Sequence, residues 1–133
     1  MTSTIAARFR AAVEAGDMDA AMACLSPTVT FNSPAVFHPY QGIETVAGLL
    51  RLVGETFEEF RYTDELESGD AHALIFRAKA GGRDVEGMDL LRPGGDGLIE
   101  DFTVMIRPLS GLVALAQALG PKVEAAGLKA TPL

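Results

Sequence analysis

The sequence predicts an α+β fold. A curved antiparallel sheet forms a cone, three N-terminal helices lie on its concave face, and a C-terminal helix follows. Three observations predict it. Apolar residues recur with helical spacing in residues 5–55 and again in 109–126. Between them, residues 57–107 read as strands separated by short turns rich in glycine. Helices segregated from an antiparallel sheet in this way define α+β. The chain has 133 residues and is 48% hydrophobic, which suits one core and one domain over 1–133.

Ile5, Phe9, Ala12 and Val13 share one face of a first helix, which Gly16 stops. Asp17 is placed to cap a second helix carrying Met18, Ala21, Met22 and Leu25, with Pro27 closing it. Thr28 to Asn32 is β-branched and aromatic, hence a short strand. The segment SPAVFHPYQG, with two prolines and a terminal glycine, is a loop. A third helical stripe runs through Ile43, Val46, Ala47, Leu50 and Val53 to Glu55. From Phe57 four strands follow, ending at Ser68-Gly69-Asp70, at Gly81-Gly82, at the Pro93–Gly97 turn and at Pro108. Hairpin links make them an antiparallel meander. Leu109, Leu112, Val113, Ala116, Leu119 and Val123 then share a face of the C-terminal helix, 109–126.

Composition excludes several functions. With 11 Lys+Arg against 18 Asp+Glu the net charge is −7, so the chain lacks the clustered positive charge that nucleic acid or an anionic membrane requires. No apolar run reaches the ~18 residues of a membrane span. The first residues lack the basic-then-apolar order of a signal peptide, and one cysteine, Cys24, makes no internal disulfide. A cytoplasmic location is expected. Two distant histidines, His38 and His72, and no cysteine cluster argue against a metal site. No cofactor is expected. An apolar outer sheet face would need cover, so a homodimer is expected.

The stretches AGDMDAAMACLSPTVTFNSP, QGIETVAGLL and GMDLLRPGGDGLIEDFTV, in this order, resemble the nuclear transport factor 2-like superfamily. That superfamily includes ketosteroid isomerase, SnoaL-like polyketide cyclases, limonene epoxide hydrolase and scytalone dehydratase. The resemblance covers residues 5–107 and implies the cone-shaped fold with an apolar interior. Fold alone does not imply activity. A ketosteroid isomerase uses an aspartate base and an oxyanion hole of tyrosine plus protonated aspartate. The base position, before the proline after the first strand, is Ser33 here. The tyrosine position on the first helix is Phe9. The oxyanion aspartate position is Asp89. With one position of three kept, the resemblance does not imply a standard ketosteroid isomerase. Nor does an epoxide-hydrolase set of Asp89, Arg77 and Asp101 assemble. Strand alternation puts Phe102, Val104 and Ile106 on one face and Asp101 on the other.

Asp89 is the sharpest candidate catalytic residue. It lies between Met88 and Leu90-Leu91, and a carboxyl in an apolar pocket can act as an acid or hydrogen-bond donor. The alternative is a structural carboxylate paired with Arg77 or Arg92. His38 and Tyr40, in the loop after the first strand, are candidate assistants at the pocket mouth. Phe9, Phe76, Phe102 and Val104, with Ser33 at the rim, are candidate ligand-lining residues. Arg107 is a candidate clamp for a ligand carboxylate or a partner for Asp101, and His72 reads as a solvated strand-edge residue. The expected function is cofactor-free acid–base chemistry, of isomerase, cyclase or dehydratase type, on a small hydrophobic carbonyl compound. The alternatives are a non-catalytic protein binding a small hydrophobic molecule and a dimeric interaction module.

Overall fold

The computed structural model describes residues 4–130. The elements are α1 (Ile5–Glu14), α2 (Met18–Met22), β1 (Leu25–Asn32), β2 (Tyr40–Gln41), α3 (Ile43–Thr56), β3 (Glu58–Ser68), β4 (Ala71–Ala80), β5 (Arg83–Pro93), β6 (Ile99–Arg107) and α4 (Leu109–Ala125). The six strands form one curved, open sheet in the order β2-β1-β6-β5-β4-β3. The last four strands are the antiparallel meander, and β1 runs parallel to β6 at its edge.

Local chemistry sets the element ends. Thr4 caps α1 by accepting from Ala7 N at 3.0 Å, and Asp17 caps α2 by accepting from Ala20 N at 3.0 Å. Gly16 turns the chain between them at φ 72°, a conformation glycine adopts without a Cβ penalty. The second helix is shorter than its apolar spacing predicts. Leu25 and Pro27 belong to β1, because Leu25 bridges to Ile99 and Ile99 N donates to Cys24 O at 2.8 Å. Pro27 has no N–H to give, and it sits where the β1–β6 register is interrupted, between Leu25 and Thr30. Tyr40 and Gln41, expected in a loop, instead pair with Phe31 and Thr30 as a two-residue edge strand.

Along β5, Val85, Gly87, Asp89 and Leu91 are buried, whereas Glu86, Met88, Leu90 and Arg92 face outward. The inner face meets the helices in a core that includes Phe9, Val46, Leu49, Leu74, Phe76 and Phe102. A Cβ at Gly87 would overlap the Phe76 ring, so the glycine gives that ring its place across the sheet. His72, read from sequence as solvated, is only 6% exposed. It shares the inner face with Leu74 and Phe76, and its Nδ1 has no hydrogen-bond partner. The side chain of Glu67 approaches it at 3.7 Å.

The outer face carries an apolar belt. Met105, Met88 and Ile75 stand side by side in register, with Leu90 and Ala73 in the next row. Met105 is 53% exposed. An ion-paired edge borders the belt, where Glu86 meets both Arg77 and Arg107 at 3.1 Å. α4 lies across the other side of the sheet. Gly111 packs onto Val85 at a spacing that excludes a Cβ, and the end of the helix packs on α3. Among the described residues no helix is long and apolar enough to cross a membrane.

Candidate active site

The concave side of the sheet encloses a cavity of about 530 Å³ between α1, α2, α3, α4 and the meander. That lies within the ~300–1,000 Å³ range of small-molecule sites. Phe9, Phe31, Phe57, Phe60, Phe76 and Phe102 line it, which is every phenylalanine of the chain except Phe37. Phe9 and Phe31 each meet Phe102 edge to face at 5.4 Å and Phe57 meets Phe76 in the same way at 5.5 Å, while Phe60 stacks on Phe76 at 4.9 Å. Such pairs add about 0.5–1.5 kcal/mol beyond their burial, and they make a stiff apolar wall.

Two buried polar side chains interrupt that wall, Asp89 and Tyr62, at 6% and 8% exposure. The Tyr62 hydroxyl donates to Asp89 Oδ2 at 2.9 Å. Asp89 stands in register with Val104 on one side and Leu74 on the other, so its neighbours along the inner face are apolar. Burial pushes its carboxyl up to about 7, and the Tyr62 hydroxyl pulls it part of the way back by stabilising the charged form. Tyr62 is itself raised well above the ordinary phenol value, first by burial and then by the charge of Asp89. It therefore remains a donor across the physiological range.

Tyr62 reaches the cavity through an irregular strand. The β3–β4 register is interrupted on both sides of it, between Glu58 and Arg61 and between Tyr62 and Asp64. At the second interruption the Thr63 hydroxyl donates to Asp64 Oδ2 at 2.9 Å and lies 3.4 Å from Ile75 O. Bulges of this kind bend a strand and re-aim side chains. Above the ring, the Arg10 guanidinium lies 5.7 Å from the Tyr62 centroid. Arg10 in turn meets Glu65 at 3.3 Å and Glu14 at 3.4 Å. This bracing holds the phenol over Asp89.

Of the residues singled out from sequence, Asp89, Phe9, Ser33, Phe76, Phe102 and Val104 all line this cavity. The structure does not bring His38 or Tyr40 to it. Pairing of residues 40–41 with β1 carries the preceding loop outward, which leaves His38 exposed beside the Phe37 ring. Tyr40 is buried against Phe31, at 6.4 Å between rings, and faces a separate hollow. The arginines considered as partners for Asp89 are also elsewhere. Arg77 and Arg107 pair with Glu86, and Arg92 lies opposite Asp101 on the outer face. Asp101 hydrogen-bonds Thr103 there at 3.1 Å.

Sequence reasoning missed Tyr62 as a site residue. The signal available was its place two residues after Phe60 in an aromatic run, but choosing its face needs the bulge. A buried carboxyl whose proton is held near neutrality, with one oxygen bonded to a phenol and the other free, can donate to an acceptor in the cavity. Once ionised it can accept a proton in turn.

Residues 6–102 match the family model described as a SnoaL-like domain. An uncharacterized bacterial protein with a cystatin-like fold from Silicibacter pomeroyi is 35% identical, with a TM-score of 0.86 over 92% of this chain and 87% of that one. A steroid delta-isomerase from Pseudomonas aeruginosa is 34% identical, with a TM-score of 0.85 over 94% and 93% of the two chains. A nuclear transport factor 2-like protein of unknown function from Cytophaga hutchinsonii, 22% identical with a TM-score of 0.62 over 80% and 94%, shares the fold. No curated protein sequence matches.

Proposed function

The chain belongs to the SnoaL-like domain family, and from that premise we propose that it is a cofactor-free acid–base enzyme of isomerase or cyclase type acting on a small hydrophobic carbonyl compound. The observation that carries this reading is the Asp89–Tyr62 pair, buried in a largely apolar cavity. Neutral Asp89 donates its proton to the substrate carbonyl oxygen while a water molecule takes the proton from the adjacent carbon, so the ketone becomes its enol. As the enol returns to the ketone, water protonates the carbon and the carboxylate, still held by Tyr62, takes the proton back from the enol oxygen and is reset. A value near 7 makes both states accessible at neutral pH. The phenylalanine walls hold the apolar body of the substrate. By the resemblance, Ser33 and Phe9 take the places of a steroid isomerase's base and oxyanion tyrosine, so the activity named for the Pseudomonas neighbour is not assigned to this chain.

The test is α-proton exchange of small apolar ketones in deuterated buffer, followed by proton NMR. The reading expects exchange faster than buffer, lowered about 100-fold or more by Asp89→Asn. Binding of the ketones without any exchange above buffer, equal in both proteins, would favour a non-catalytic binding protein instead.

We also propose that the protein is a homodimer joined through the outer sheet face. Met105, Met88 and Ile75 offer the apolar centre, and the Arg77–Glu86–Arg107 group offers a polar rim.

A further inference from the structure

Resting on the reading of the main cavity as a carbonyl site, we propose that a second hollow is a subsite for an alkyl tail. It lies between the loop before Tyr40 and the end of α4. The substrate would then be elongated, with a carbonyl head at Asp89 and a flexible apolar chain several carbons long. The hollow measures about 340 Å³. It adjoins the main cavity, and Ser33, Ala35, Leu49 and Leu119 line both. At this boundary the Ser33 hydroxyl accepts from Ala35 N at 3.1 Å. A molecule seated at Asp89 whose tail extends past these four residues enters the hollow.

The chemistry of the hollow selects the tail. Val36, Tyr40, Val123 and Leu128 complete an apolar wall, and its charged members, Glu124 and Lys129, are exposed at the outer rim. Apart from Ser33 and Tyr40 the inner lining is apolar, so a tail rich in polar groups would find few partners there, which is costly, whereas an alkyl chain loses nothing by desolvation.

The experiment titrates a series of straight-chain methyl ketones, from butanone to decan-2-one, into the protein and follows amide chemical shifts. Each methylene that enters the hollow should raise affinity about fourfold. Val36→Trp and Val123→Trp, which fill the hollow from opposite walls, should each cut the ratio of long-chain to short-chain affinity tenfold or more. Val36 sits on an exposed loop, so that variant tests the idea even where Val123→Trp does not fold. Affinity independent of chain length, an unchanged ratio in the folded tryptophan variants, or no ketone binding at all would overturn the subsite. Asp89→Ala, which unlike asparagine offers a ketone no donor, separates the two readings. If it leaves a chain-length-dependent series unaffected, the subsite stands and the carbonyl role of Asp89 falls. If it weakens short and long ketones alike with no chain-length gain in the wild type, the reverse holds.

Discussion

Replacing Asp89 with asparagine should make the protein more stable at alkaline pH than at acidic pH, relative to wild type. The carboxyl is released near 3.8 in an unconstrained chain but held until about 7 in the folded protein. Between those values the unfolded state binds fewer protons than the folded one, so wild-type stability falls as pH rises. Each pH unit in that window costs about 1.4 kcal/mol, and the full interval amounts to about 4 kcal/mol above pH 7. Against the roughly 5–15 kcal/mol that holds a typical domain together, this is large enough to measure easily. Asparagine keeps an acceptor for the Tyr62 hydroxyl and carries no charge to desolvate. Every other titrating group is shared by the two proteins and cancels in the difference. The assay is urea unfolding of both proteins at several values between about pH 4 and about pH 8. The expected result is a difference that is small at the acid end, grows in favour of Asp89→Asn, and levels off above 7. A difference that stays constant across the range would refute the reasoning, because it would mean that Asp89 titrates as an ordinary surface carboxylate.

Tyr62→Phe removes the donor to Asp89 Oδ2, so the Asp89 titration should move above 7, and stability at pH 8 should drop by about 1–3 kcal/mol. A carbon-13 titration of the carboxyl and urea unfolding measure the two effects, and an unmoved midpoint would show that the phenol does not tune the acid. Met105→Glu places a charge at the centre of the outer apolar belt and should shift the protein from dimer to monomer in sedimentation velocity. A wild-type protein that sediments as a monomer at high concentration would contradict the dimer.

The sequence carries most of the fold in its turns. Ser68-Gly69-Asp70 and Gly81-Gly82 bound β3, β4 and β5 closely, because such turns leave few alternatives to a tight hairpin. Asp89 was legible from the resemblance and from the apolar residues beside it, and Phe102 and Val104 from alternation along β6. What stayed hidden depends on departures from regular pairing. Counting back from the Ser68–Ala71 pair without interruption would set Tyr62 opposite Arg77, on the outer face. The register slip beside Asp64 sets it opposite Phe76 and turns it inward, and nothing in single-residue propensity announces such a slip. The start of β1 was hidden for a related reason. Pro27 reads as a helix stop, yet an interrupted register tolerates it within a strand. His72 was misjudged because a titratable side chain suggests exposure, whereas its parity with Leu74 and Phe76 decides its face. The two-residue pairing at Tyr40 is too short for any periodicity to mark.

The most direct measurement is the carbon-13 titration of the Asp89 carboxyl, with and without a small apolar ketone. The account predicts a midpoint near 7 in the free protein. It also predicts an upward shift with ketone bound, since a carbonyl oxygen accepts from the protonated carboxyl and repels the ionised one. A midpoint near 4, or one that a bound ketone leaves unmoved, would contradict it.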